Sequence, residues 1–219
     1  LLSIQRLRAA FGIAYGVYLR GSVAPGPVQI RTLRNGVVRL SLRRLPFHIQ
    51  ESPMAEKTLQ TLFHDTLRDI YYAERKILKS LPKMARAAQS PDLKAAFEKH
   101  REQTEGQIER LQQVFEIIGK PARGKTCDAI EGILAEGDEI AEEYKDSAAL
   151  DAGLLAAAQA VEHYEITRYG TLKRWAEVMG LKDAVKLLDE TLQEESQTDD
   201  DLTAIADAAI NAEALKPAA

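Results

Sequence analysis

Between Thr58 and Gln89, apolar residues recur at Phe63, Leu67, Ile70, Ile77, Leu81 and Met84, spaced by threes, fours and one seven. That period is the buried face of an amphipathic helix. Pro82 lies inside it, removes one backbone donor and predicts a bend in the last two turns. Ser90-Pro91 ends the first pattern and opens a second, with Ser90 as N-cap and proline at the first helical position, where its missing N–H is not needed. The second helix runs to Ile118 through Leu93, Phe97, Ile108, Leu111 and Phe115, and Gly119-Lys120-Pro121 stops it. About thirty residues follow, Gly119 to Ala148, with a shorter helix of their own from Asp128 to Tyr144. A third long helix is predicted over Ala149 to Met179 and a fourth over Leu181 to Ala214, joined tightly around Gly180.

Short connections make helices one and two, and helices three and four, antiparallel neighbours, whereas the thirty-residue connection is long enough to travel the length of the bundle. Strand signals are absent after Met54. The predicted fold class is therefore all-α: a ferritin-like four-helix bundle with one long crossover carrying a short extra helix.

Carboxylates interrupt the apolar faces. On a 100° wheel, Glu74 falls at the centre of the first stripe, between Ile70 and Ile77. Glu165 lies inside the third (Leu154, Val161, Arg168, Leu172), with Glu162 on its edge. Glu195 and Asp199 lie in the fourth (Leu188, Leu192, Leu202, Ala206). On helix two, His100 and Gln107 lie toward one edge of the stripe, with Gln103 just beyond. These groups also agree in height, each near the midpoint of its helix. An ionised carboxylate taken alone into low dielectric costs several kcal/mol after relaxation, and several together repel and are driven to protonate. Hard cations reverse that balance, and Glu, Asp and His are ligands that iron and manganese accept. The residues predicted to hold metal are Glu74, His100, Glu162, Glu165, Glu195 and Asp199. The competing reading is a core laced with ion pairs through Arg168 and outward-tilted acids.

His163 points away from the stripe and reads as a surface residue. Tyr164, on the stripe's other edge, is either a hydrogen-bond partner for a ligand or a packed tyrosine with a satisfied hydroxyl. Trp175 and Phe97 read as packing. Cys127, the one cysteine, reads as a small buried hydrophobe; it excludes an internal disulfide framework and fits a reducing compartment, the cytoplasm. No apolar run approaches the roughly 20 residues needed to span a bilayer.

Charge divides the chain. Residues 1–53 contain eight Arg, no Lys and the single acid Glu51, while residues 54–219 contain 21 basic and 32 acidic residues. The first segment shows no sustained period and is expected to be non-globular and poorly packed against the rest. Three accounts of it stand: an Arg-rich targeting peptide, a basic arm for nucleic acid or anionic lipid, or a stretch outside the native protein. The third, in which the segment begins with Leu and Met54 opens the well-patterned sequence, is preferred, because selected basic arms usually mix Lys with Arg. The net −11 of residues 54–219 opposes phosphate binding, so nucleic acid is not an expected partner.

Several strings resemble the YciF-type ferritin-like stress proteins: Leu67-Arg68-Asp69-Ile70-Tyr71-Tyr72-Ala73-Glu74, Leu81-Pro82-Lys83-Met84-Ala85, Gln107-Ile108-Glu109-Arg110-Leu111, and Glu162-His163-Tyr164-Glu165-Ile166 followed by Tyr169-Gly170-Thr171-Leu172. The resemblance covers residues 54 to about 215. It implies a ferritin-like bundle, a homodimer and a link to bacterial stress responses. Against the wider rubrerythrin and ferritin pattern, Glu74 matches the helix-one ligand. Glu162-x-x-Glu165 is similar to the helix-three pair, and Glu195-x-x-x-Asp199 resembles the helix-four pair with Asp in place of His. Helix two departs from the Glu-x-x-His pattern, offering His100, Gln103 and Gln107. One cysteine leaves no room for a four-cysteine iron site.

The function expected from the sequence is a di-iron, or iron–manganese, carboxylate protein of the stress response that handles iron, oxygen or peroxide, as a ferroxidase- or peroxidase-type oxidoreductase. The alternative is a non-catalytic dimeric stress protein whose metal is structural or vestigial.

Overall fold

Four long helices and a short one carry the chain from Leu59 onward: α1 (Leu59–Ala87), α2 (Pro91–Ile117), α3 (Asp128–Glu143), α4 (Leu150–Val178) and α5 (Lys182–Ile205). The structure is a computed structural model that describes residues 57–215. The Arg-rich segment 1–53 lies outside the described residues. Helix α5 widens into a π-helical turn at Ala206–Ile210 and closes with a last short turn, α6 (Asn211–Glu213), where one uninterrupted helix to Ala214 was expected.

Local chemistry sets the boundaries. The Thr58 hydroxyl accepts from the Thr61 N–H at 3.2 Å and the Ser90 hydroxyl from the Leu93 N–H at 3.4 Å, each satisfying one of the N–H groups that a helix start leaves unpaired. Helix α1 continues five residues past Pro82 to Ala87. The tight α4–α5 joint turns on Gly180, whose φ of +74° is costly for any residue with a Cβ.

Helices α1 and α2, and α4 and α5, pack along their lengths as their short joints require. Contacts of α2 with α5 and of α1 with α4 complete the ring. The crossover helix α3 lies against α4 and α1. Its approach to α4 depends on Gly153, where a Cβ would come within 2.5 Å of Ile140 Cγ2. The crossover is tied to α1 by Lys125 N–H donating to the Arg68 carbonyl at 3.1 Å, and by Arg68 Nε donating to the Arg123 carbonyl at 3.2 Å. Asp151, buried in the first turn of α4, clamps the α1–α2 turn: its two carboxylate oxygens accept from Gln89 N–H (2.8 Å) and Ser90 N–H (2.6 Å).

The core runs through Phe63, Leu67, Ile70, Leu93, Leu111, Phe115, Leu154, Leu172 and Leu188, all fully buried. Each such side chain contributes about 1.5–3 kcal/mol by leaving water. Two stripes differ from the sequence reading. On α2 the inward face is Phe97, His100, Thr104, Gln107, Leu111 and Val114, while Ile108 is only half-buried beside it. His100 and Gln107 therefore occupy the centre of the face and not its edge. On α5 the inward face is Ala184, Leu188, Thr191, Glu195, Thr198 and Leu202, and Leu192 stands to one side. Among the described residues no helix is long and apolar enough to cross a membrane.

Candidate metal centre

Four helices each send ionisable side chains to one level of the interior. Helix α1 supplies Glu74, one turn from both Ile70 and Ile77; α2 supplies His100; α4 supplies Glu162 and Glu165; α5 supplies Glu195. All five are buried, Glu74, Glu165 and Glu195 with no exposure at all. Ligand atoms of His100, Glu162, Glu165 and Glu195 all lie within 4.8 Å of one another. His100 Nε2 is 3.3 Å from Glu162 Oε1, and its Nδ1 is 3.9 Å from Glu195 Oε2. Glu74 adjoins Glu165 and accepts a hydrogen bond on Oε1 from the Tyr169 hydroxyl.

Both oxygens of Glu165 and of Glu195, one each of Glu74 and Glu162, and both ring nitrogens of His100 are buried without a hydrogen-bond partner. Buried polar groups are almost always partnered, so eight such atoms in one place need a physical account. Burial pushes the Glu74 and Glu162 carboxyls up to about 8. Burial, joined by repulsion from neighbouring carboxylates, lifts Glu165 and Glu195 well above the ordinary carboxylate range. Burial, with the Lys99 charge adding to it, pushes His100 down to about 4, which leaves a neutral imidazole with a free lone pair at neutral pH. Without a counter-charge, the cluster is held together only by protons.

The ion-pair alternative requires Lys or Arg among these acids. Among the described residues, none forms an ion pair with Glu74, Glu162, Glu165 or Glu195. Arg168 stands over the Tyr164 ring, 5.1 Å from its centroid. Arg110 pairs with Glu190 at 2.9 Å and with Glu194, and donates from Nε to Thr191 at 2.9 Å. Its charge draws the Glu74 carboxyl down but does not offset the effect of burial. The donor set, four carboxylates and one neutral imidazole, is hard oxygen and nitrogen, and it fits iron or manganese.

Asp199 is the predicted site residue that the structure does not bring into this group. Its side chain is partly exposed, and its oxygens face Gln159 Nε2 and His163 Nε2, both at 3.1 Å. The reason is the α5 register: Thr198 follows Glu195 on the inward face, and the next position along the chain turns outward. His163 is exposed as expected. The Tyr164 hydroxyl lies 3.0 Å from the buried Cys127 sulfur and away from the acids. The sequence reading missed Tyr169 as a partner of the site, although it follows Glu165 by four residues and so shares its face. It named Gln107 but missed Arg110 beside it; both hydrogen-bond to Glu194.

Comparison with known proteins places the chain in a family. The chain is 45% identical over 154 residues to the protein YciF of Escherichia coli K12, a match covering 70% of this chain and 93% of that one. The crystal structure of the E. coli stress protein YciF superposes with a TM-score of 0.68 at 44% identity, covering 71% of this chain and 98% of that chain. YcfI of Rhodopseudomonas palustris superposes with a TM-score of 0.67 at 47% identity, covering 69% and 96%. A Xanthomonas campestris protein at 22% identity, with a TM-score of 0.54 over 71% of this chain and 95% of that one, shares the fold. The pattern of the domain of unknown function DUF892 matches residues 58–215, nearly the whole of the helical part, and the chain belongs to that family.

Proposed function

We propose that the bundle is a ferritin-like carboxylate metalloprotein that binds a pair of iron ions, or an iron–manganese pair, and handles iron, oxygen or peroxide as a ferroxidase- or peroxidase-type oxidoreductase. The observation that carries this reading is the convergence of His100, Glu162, Glu165 and Glu195 within 4.8 Å in the buried interior, without a Lys or Arg partner among the described residues. His100, Glu162, Glu165 and Glu195 would hold the metal, with Glu74 adjoining through Glu165. When bound, a pair of such ions supplies electrons and Lewis acidity to an oxygen species. The chain's own part is to exclude water, to fix four carboxylates by packing them into helix faces, and to hold Glu74 through the Tyr169 hydroxyl. The kinship with the E. coli stress protein supports a role in the bacterial stress response, and the free buried Cys127 fits the cytoplasm.

Elemental analysis of the purified bundle and anaerobic Fe(II) titration test the reading. Two metal ions per chain, lost on Glu165→Gln and Glu195→Gln, is the expected result. A protein that takes up no Fe(II) or Mn(II), and whose unfolding is unchanged by either, would end it.

The second reading is a homodimeric stress protein whose metal holds the bundle together and does not turn over. The Rhodopseudomonas palustris relative carries a provisional description as a structural protein, which favours it. Metal-dependent stability without Fe(II) oxidation by dioxygen or peroxide would select this alternative.

A further inference from the structure

Beside the acid cluster lies a half-open cavity of about 40 Å³, lined by residues of α1, α2, α3, α4 and α5. Met84, Phe97, Leu134 and Val161 form its wall, and its inner end is made by His100 and Glu162. The wall is almost wholly apolar. Thr198, one of its few hydroxyls, already donates to the Glu194 carbonyl at 3.0 Å. At the inner end, His100 Nε2 and Glu162 Oε2 are buried without partners.

Packed interiors leave few voids larger than a water molecule. This one survives because small residues stand where larger ones would close it: Ala158 on α4 and Gly137 on α3 both line it. A Cβ on Gly137 would meet Ala157 Cβ at 3.4 Å and Met84 Cε at 3.8 Å, so one added methyl there reaches ordinary contact and begins to fill the space. The volume admits a molecule of a few atoms. The chemistry of the wall selects among such molecules. A water needs two to four polar partners to settle in a cavity, and hydrogen peroxide, with two hydroxyl groups, has the same requirement. Polar partners exist at one end only. Dioxygen has no hydrogen bond to lose and favours an apolar wall.

We propose that this cavity is a binding site for dioxygen, which it holds against the His100–Glu162 edge of the metal centre. The inference rests on the metal-centre reading and decides within it between the apolar and polar oxygen species.

The test uses the full, metal-free chain and dissolved dioxygen as probe, because dioxygen is paramagnetic and broadens the NMR signals of the groups it touches. Under oxygen pressure the methyls of Met84 and Val161 and the ring protons of His100 are expected to broaden several-fold more than the methyls of Leu67 and Leu111. Those two leucines are buried more deeply still and do not line the cavity, so the comparison with Ala158→Phe separates a cavity effect from one of exposure. Ala158→Phe, which fills the space, is expected to abolish the difference and leave metal stoichiometry unchanged; Gly137→Ala serves as the milder filling variant if the first fails to fold. Broadening at Met84 no greater than at Leu111 would overturn the proposal, as would cross-peaks from a long-lived water to the Met84 methyl. A bundle that binds no metal yet shows the oxygen effect would leave the cavity assignment standing and remove the metal-centre reading.

Discussion

Tyr169 on α4 reaches the helix facing it and donates its hydroxyl hydrogen to Glu74 Oε1 on α1, and both side chains are fully buried. This hydrogen bond offsets the burial of the Glu74 carboxylate more than the neighbouring Glu165 and Arg110 do, and it draws that carboxyl down against the larger effect of desolvation. Removing the donor strands a buried acceptor, which costs about 1–3 kcal/mol. Tyr169→Phe is therefore expected to lower Tm of the metal-free protein by roughly 2–4 °C for each kcal/mol lost and to weaken metal binding, because Glu74 becomes harder to ionise. Calorimetry with and without Mn(II) reads both effects. An unchanged Tm together with unchanged affinity would show that the contact is incidental.

The acid cluster imposes a pH dependence whose sign can be worked out. Glu74 and Glu162, ordinarily at 4.5, are held up to about 8 in the fold, and Glu165 and Glu195 are raised as well. Between pH 4.5 and 8 the folded chain therefore keeps protons that the unfolded chain has released, and stability falls as pH rises through that window. His100 acts in the opposite sense. Lowered from 6.5 to about 4, its contribution is complete above pH 6.5 and is lost as pH falls from there towards 4. From pH 6.5 to 8 the carboxyls act alone. The metal-free protein is expected to lose roughly 5 °C in Tm over that interval. With Fe(II) under nitrogen or with Mn(II) the trend reverses, because metal binding requires deprotonated ligands and strengthens with pH. Parallel melts at pH 6.5 and 8 measure both. A flat metal-free profile would mean that the carboxyls are neutralised by something other than protons.

Glu165 separates a binding site from ordinary core by the sign of two effects. As a core residue, its replacement by Gln would be neutral or harmful everywhere. As a carboxylate among Glu74, Glu162 and Glu195, its loss relieves repulsion. Glu165→Gln is therefore expected to raise Tm of the metal-free protein at pH 8 by about 2–4 °C per kcal/mol relieved, while metal affinity falls by at least about tenfold. The pair of melts, apo and metal-loaded, gives the answer in one experiment. A loss of apo stability without a loss of affinity would contradict the proposed role.

The bundle was legible because its apolar residues keep a helical period for long stretches and its stops are chemically distinct: Thr58, Ser90-Pro91 and Gly180 all act where the pattern places them. Glu74, Glu165 and Glu195 were legible for a related reason, since each replaces an apolar residue at a position that the period marks as inward. Polar residues on a stripe hide its true centre. On α2 the inward positions between Phe97 and Leu111 are His100, Thr104 and Gln107, so apolar residues alone drew the stripe toward Ile108. On α5 the buried Thr191 and Thr198 stand beside Leu192 and Asp199; Leu192 drew the stripe to its own side, and Asp199 was carried into it. The spacing from Glu165 puts Tyr169 on the inward face, but its contact with Glu74 on another helix is not encoded by any spacing within one helix.

The position of Asp199 follows from the α5 register. It lies one residue beyond the inward Thr198, with its carboxylate shared between Gln159 and the exposed His163. A pair open to solvent on one side contributes about 0–1 kcal/mol, and nothing on this face needs a cation to balance it. Asp199→Asn is therefore expected to keep metal stoichiometry unchanged, to alter affinity by less than about twofold and to leave Tm within about 2 °C. Glu195→Gln, one helical turn away and fully buried, should abolish binding. Isothermal titration of the two variants side by side distinguishes them. Equal losses would mean that Asp199 turns inward when metal binds, releasing His163 and Gln159 as it does so.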